Sequence, residues 1–154
     1  MAGPVSRADM PCAAVYVDEL VYEQLLAVAH RSGGQECCGL LLGRAPDRVE
    51  EIMISRNIAE EPERHFEILP QDLIAAEKEM RRGGRLLLGY YHSHPVGEAV
   101  PSPTDAVLSA GDGRIWAIIA GATVRLWRNE PGGTLHDMFT EITCHVGVPA
   151  SDET

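Results

Sequence analysis

Near the start of the chain, Val17, Leu20, Val21, Leu25 and Val28 recur at helical spacing, and Gly33-Gly34 follows them. That spacing predicts an amphipathic helix with a glycine stop, preceded by a polar stretch. Beyond it the pattern shortens. CGLLLG (38–43) and VEEIMIS (49–55) flank RAPDR, whose Pro and Asp suit a turn, so two strands joined as a hairpin are expected. RNIAEEPER reads as a polar loop and HFEIL as a short strand. Pro70 to Arg82 reads as a second helix ended by Gly83-Gly84. RLLLGYYH (85–92) is apolar enough for an inner strand, whereas the three prolines of HSHPVGEAVPSP prevent regular structure. A short helix is expected over 103–110. RIWAIIAG, TVRLWR and a last strand near LHDMFTEI then predict an antiparallel meander with NEPGG as a turn.

These elements make one α+β domain, a mostly antiparallel β-sheet flanked by two main helices plus a short third one. The 154 residues suffice for one domain with its own core and are too few for two of ordinary size. We divide them into an N-terminal extension (1–14), the domain (15–144) and a flexible tail (145–154). No internal repeat or low-complexity segment interrupts the pattern.

Composition changes the picture in three ways. A hydrophobic share of 45% with 23% charged residues is that of a folded soluble chain. The formal net charge of −10 argues against nucleic acid as a partner, because phosphate binding rests on clustered Lys and Arg. No apolar run reaches the roughly 20 residues of a membrane span, and MAGPVSRADM lacks the apolar core of a secretory signal, so a cytoplasmic protein is expected. The four cysteines, Cys12, Cys37, Cys38 and Cys144, include no C-x-x-C pair and read as reduced, mostly buried thiols.

The chemistry concentrates in YYHSHPVGEAVPSPTD (90–105). On an extended backbone, residues two apart share a face, so His92 and His94 can aim two imidazoles at one point. Imidazole and carboxylate suit Zn²⁺, and a catalytic zinc keeps three protein ligands and an open position. Asp105 is the natural third ligand. Ser102-Pro103-Thr104-Asp105 also matches a helix capping box, a reading compatible with the first. A metal hydrolase needs a base as well. The candidate is Glu36, an acid placed just before the apolar run at Cys38; by itself it also reads as a solvated loop carboxylate.

Together, ECCGLLLG, HFEI and GYYHSHP followed by PSPTD resemble the JAMM (MPN-plus) metalloprotease family in its compact bacterial, prokaryotic JAB-type form. The family pattern is a glutamate, then H-x-H-P, a short gap, and S-x-x-D. Glu36, His92, His94, Pro95, Ser102 and Asp105 supply every element in order, within a match over roughly Val15 to Arg128. The resemblance implies a cytidine-deaminase-like JAMM/MPN fold and a zinc metallopeptidase. His92, His94 and Asp105 would bind Zn²⁺, Glu36 would act as general base, and Ser102 would donate to the oxyanion. It implies cleavage after the C-terminal glycines of a ubiquitin-like or sulfur-carrier protein, as an isopeptidase or a processing peptidase. The short loops resemble bacterial members rather than eukaryotic deubiquitinases with a longer substrate-gripping insertion.

Three other classes compete. One is a non-catalytic MPN-type scaffold, opposed by the intact motif. A RadC-like DNA-repair-associated protein has a similar H-x-H-P segment but fits poorly with the acidic charge. A zinc nucleobase deaminase fails for want of H-x-E and P-C-x-x-C. Oligomeric state is left open, a homodimer included.

Overall fold

Leucines and valines at alternating positions of short runs build the central feature, an eight-stranded sheet. The computed structural model describes residues 14–149. Within them the elements run β1 (Ala14–Val17), α1 (Glu19–Ser32), β2 (Cys38–Gly43), β3 (Arg48–Val49), β4 (Glu51–Ser55) and α2 (Pro70–Arg81). There follow β5 (Leu86–Ser93), α3 (Pro103–Leu108), β6 (Ile115–Ala120), β7 (Thr123–Gly133) and β8 (Asp137–Val146). The strand order is β3-β1-β8-β7-β6-β5-β2-β4. Four pairings are antiparallel, and β1–β3, β1–β8 and β5–β6 are parallel. The domain is therefore α+β with a mixed, mostly antiparallel sheet and three helices.

The two-residue period of the strands sorts side chains onto two faces. Leu41 and Tyr91 turn toward a core shared with Val21, Leu25 and Val28 of α1. Their neighbours Leu40 and Leu42 face Ala76 of α2, and Trp116 and Ile118 face Ala106 of α3. One helix thus covers one face and two cover the other. Each large side chain fully buried this way contributes about 1.5–3 kcal/mol. None of the helices is long and apolar enough to cross a membrane, among the described residues.

Several boundaries differ from the sequence expectation. β1 takes Val17, counted on the apolar stripe of the first helix, and Leu20, counted on the same stripe, is exposed. The run 49–55 is broken at Glu50, whose N–H bonds the Leu42 carbonyl of β2, whereas Arg48 and Val49 pair with β1. One chain segment therefore lies on both ends of the strand order, and the sheet curls until they meet. HFEIL is not a strand: beyond one isolated bridge from Ile68 to Asn57, the His65 carbonyl and the Glu67 N–H bond the Asn57 side chain, and the Leu69 N–H bonds the Ser55 hydroxyl, rather than a neighbouring strand. NEPGG is not the turn either. Asn129 stays paired with the loop before β6, a bulge follows, and the chain reverses at 134–137, where His136 and Asp137 take φ of 51° and 61°. β8 continues to Val146, and Gly147 donates to Val17, so the segment read as a tail from 145 begins inside the sheet. Residues 150–154 and most of the N-terminal extension, Cys12 included, lie outside the described residues.

Candidate metal centre

The centre forms where β5 ends and the chain crosses over through α3 to the parallel strand β6. His92 pairs with Ile118, and the His94 N–H still donates to Ile119 at 2.8 Å, so the extended backbone runs on past Ser93. The two imidazoles consequently share a face. Ser93 points the other way, where its hydroxyl accepts the Cys37 N–H at 2.9 Å.

The loop from Pro95 to Pro101 is fixed through its carbonyls. His94 Nδ1 bonds Glu98 at 2.8 Å, Trp127 Nε1 bonds Ala99 at 3.1 Å, and His136 Nε2 bonds Pro101 at 2.9 Å. The loop delivers the chain to Ser102, which caps α3: its Oγ accepts the Asp105 N–H at 3.0 Å, and Asp105 Oδ2 accepts the Ser102 N–H at 2.9 Å. The capping box and the metal-site reading hold together, because the capped carboxylate also turns inward. Asp105 Oδ2 lies 3.2 Å from Nε2 of both histidines, which are themselves 3.2 Å apart.

Glu36 stands before β2, buried, and its carboxylate donor lies within 4.8 Å of those of His92 and His94. Burial pushes its carboxyl up to about 7; the Asp105 charge acts in the same direction and His94 opposes it. Burial also pulls His92 down, against the attraction of Asp105. Burial would likewise raise Asp105, but the two histidines and the Ser102 N–H outweigh it and hold Asp105 below the usual carboxylate range.

The donor chemistry fits a cation. A carbonyl cannot donate, so the Glu98 contact requires Nδ1–H on His94 and leaves the Nε2 lone pair facing the cluster. That is the arrangement in which a backbone carbonyl orients a ligand imidazole. The His94 Nε2 lone pair and the Asp105 Oδ2 carboxylate oxygen, 3.2 Å apart, repel unless a proton or a cation lies among them, and four-coordinate zinc at about 2.0–2.2 Å from its ligands would separate them by a similar amount. Buried Glu36 Oε1 and His92 Nδ1 have no protein hydrogen-bond partner. Glu36, His92 and His94 thus form a candidate metal-binding group consistent with a JAMM site, and Asp105 lies 3.2 Å from both of its imidazoles.

Among the described residues, other groups able to ligate a metal lie outside this cluster. Cys37 and Cys38 are buried, the Cys38 thiol against the Ser55 carbonyl. His65 pairs with Glu61 at 3.5 Å, and His145 stacks on Tyr16. Sequence reasoning missed Phe66, whose ring stacks on His92 with centroids 4.2 Å apart. It also gave no role to Trp127 or His136. Two depressions flank the centre. One of about 560 Å³ is bordered by Gly34, Glu36, Arg64, His94 and Ser102. The other, about 250 Å³ and more apolar, is bordered by Phe66, Ile68, Tyr90, Leu108 and Trp116 on the Asp105 side.

Comparison with known proteins agrees with this geometry. The chain is 32% identical to the desampylase of Haloferax volcanii over 112 residues, 72% of this chain and 78% of that protein. It is 36% identical over 91 residues to a probable TtuB-protein conjugate cleaving protease of Thermus thermophilus, covering 59% of this chain and 60% of that one, less than two thirds of its length. A solution structure of a Desulfitobacterium hafniense protein superposes with a TM-score of 0.72 at 27% identity, covering 91% of this chain and 98% of the other. Residues 18–130 match the family described as prokaryotic homologs of the JAB domain. The chain belongs to that family, the prokaryotic JAB branch of the JAMM-type metalloproteases.

Proposed function

We propose that the protein is a zinc-dependent isopeptidase or peptidase that cleaves the bond after the C-terminal glycines of a ubiquitin-like or sulfur-carrier protein. The observation that carries this reading is the 3.2 Å triangle of His92 Nε2, His94 Nε2 and Asp105 Oδ2 with the Glu36 carboxylate beside it. The names of two relatives, a desampylase and a TtuB-conjugate cleaving protease, support the substrate class.

In this reading His92, His94 and Asp105 hold the ion. Bound zinc supplies Lewis-acid polarisation of the substrate carbonyl and lowers the pKa of water from 15.7 to about 7. Glu36, its carboxyl near 7, takes one proton from the attacking water and returns it to the leaving amine, so the acid ends each turnover as it began. The Ser102 hydroxyl uses a lone pair for its cap and, among the described residues, donates to none, which leaves its proton for the carbonyl oxygen. His94 is kept in register by Glu98, and His92 by the ring of Phe66. An extended tail would lie in the open depression beside Glu36 and Ser102.

The test is elemental analysis of purified protein together with cleavage of ubiquitin-like proteins extended past their terminal Gly-Gly. About one zinc per chain, with cleavage lost on chelation and regained on adding zinc, is expected. Protein that neither copurifies with nor binds metal would leave a strand end and a helix cap, and the reading would fall.

A further inference from the structure

Glu36 is not held by the sheet. β2 begins two residues later, yet both backbone groups of Glu36 are taken. Its N–H donates to the Pro62 carbonyl at 2.7 Å, and its carbonyl accepts from Asn57 Nδ2 at 2.9 Å. Both partners belong to the segment between β4 and α2.

The Asn57 side chain is saturated. Nδ2 donates to the carbonyls of Glu36 and His65, each at 2.9 Å, and Oδ1 accepts the N–H groups of Ala59 at 3.0 Å and Glu67 at 3.1 Å. A primary amide has two N–H donors and two carbonyl lone pairs, so all four are used. One residue thereby ties the two arms of the 57–67 segment to each other and to the Glu36 peptide. Phe66, on one of those arms, stacks on His92. The backbone of the acid and the ring covering an imidazole thus share one fastening.

We infer that Asn57 is a positioning residue: its amide sets where the Glu36 carboxylate stands relative to the metal cluster, acting through the Glu36 carbonyl and the folded 57–67 segment. The inference rests on the reading of Glu36 as general base. With all four amide groups taken by backbone, Asn57 has none left for substrate or metal. Its effect is one of placement, where an error of about 1 Å can cost on the order of 10²-fold in rate.

Asn57→Ala removes all four bonds. Asn57→Asp keeps the shape but turns an acceptor toward two carbonyls, and it serves if the alanine variant fails to fold. Backbone hydrogen exchange of the metal-free protein is followed at Glu36, Ala59 and Glu67, with Ile118 in β6 as reference. Alongside it, kcat and KM are measured for the zinc-loaded enzyme in wild-type and Glu36→Gln backgrounds. Exchange should accelerate at least about tenfold at Glu36 and Glu67 and not at Ile118. In the wild-type background kcat should fall about 10–100-fold with KM little changed, whereas in the Glu36→Gln background the same change should cost nothing further.

An equal loss in both backgrounds, or unchanged exchange at Glu36, would overturn the inference. A wild-type protein that cleaves nothing, with exchange at Glu36 still released by the variants, would instead overturn the general-base reading and leave the fastening standing.

Discussion

Ser102 carries two duties that substitution can separate. As N-cap of α3 its oxygen accepts the Asp105 N–H, and as the proposed oxyanion donor it uses its proton. Ser102→Ala removes both. Losing a cap to alanine costs about 1 kcal/mol, within a range of about 0.5–2. At about 2–4 °C per kcal/mol for a chain of this size, Tm should drop by a few degrees. Such a loss leaves a domain of ordinary stability, about 5–15 kcal/mol, almost wholly folded. Ser102→Gly costs only a few tenths of a kcal/mol, because glycine is itself tolerated as an N-cap. Removing an oxyanion donor, in contrast, costs about 10²–10³ in kcat. Thermal melts and steady-state cleavage of a Gly-Gly-extended substrate should therefore dissociate. Alanine and glycine should both lose about 10²–10³ in kcat while differing in Tm, and Ser102→Thr should retain the cap and much of the rate. If the glycine variant cleaves nearly as fast as wild type, the hydroxyl is a cap and nothing more.

Glu36→Gln replaces a buried carboxyl whose Oε1 has no protein partner, so fold and zinc content should persist while kcat falls by about 10²–10⁴; an active variant would remove Glu36 from the mechanism. His94→Ala should lose stoichiometric zinc by elemental analysis with its circular dichroism intact, and undiminished zinc would reject His94 as a ligand. At Gly39 an added Cβ would collide with the Met53 carbonyl and the buried ring of Tyr91, so Gly39→Ala should cost about 1–3 kcal/mol or more. A melting temperature within about 1 °C of wild type would mean the two strands yield there easily.

Much of the architecture was legible because apolar periodicity reports burial. CGLLLG, RLLLGYYH and RIWAIIAG form three consecutive inner strands, and these appear close to the expected residues. α2 was equally plain between its N-terminal proline and Gly83-Gly84. What stayed hidden rests on side chains doing the work of strands. HFEIL looks like a strand by pattern, but the Asn57 amide takes the His65 carbonyl and the Glu67 N–H that a neighbouring strand would have bonded. β1 is four residues long, and its two partners lie in β3 and in β8 near the other end of the described chain; no local signal announces such a pairing. At the candidate metal centre, the convergence of the histidines and Asp105 could be read because extended geometry and a helix start leave spacing in the sequence. Phe66, Trp127, His136 and Asn57 act through contacts across the fold, which no spacing encodes.

The parallel pairing of Ala14–Val17 with Thr143–Val146 has a consequence for how the chain folds as it is made. β1 can find this neighbour only after the ribosome has released almost everything in between. Until then the apolar face of α1 lacks Ile142 of β8, a member of the core it shares. Closing so long a loop is entropically slow and belongs to the topologies that fold late rather than in passing. The newborn chain therefore passes through a stage with the histidine strand able to form but one face of the sheet unsealed, the interval in which chaperones or aggregation would compete for it.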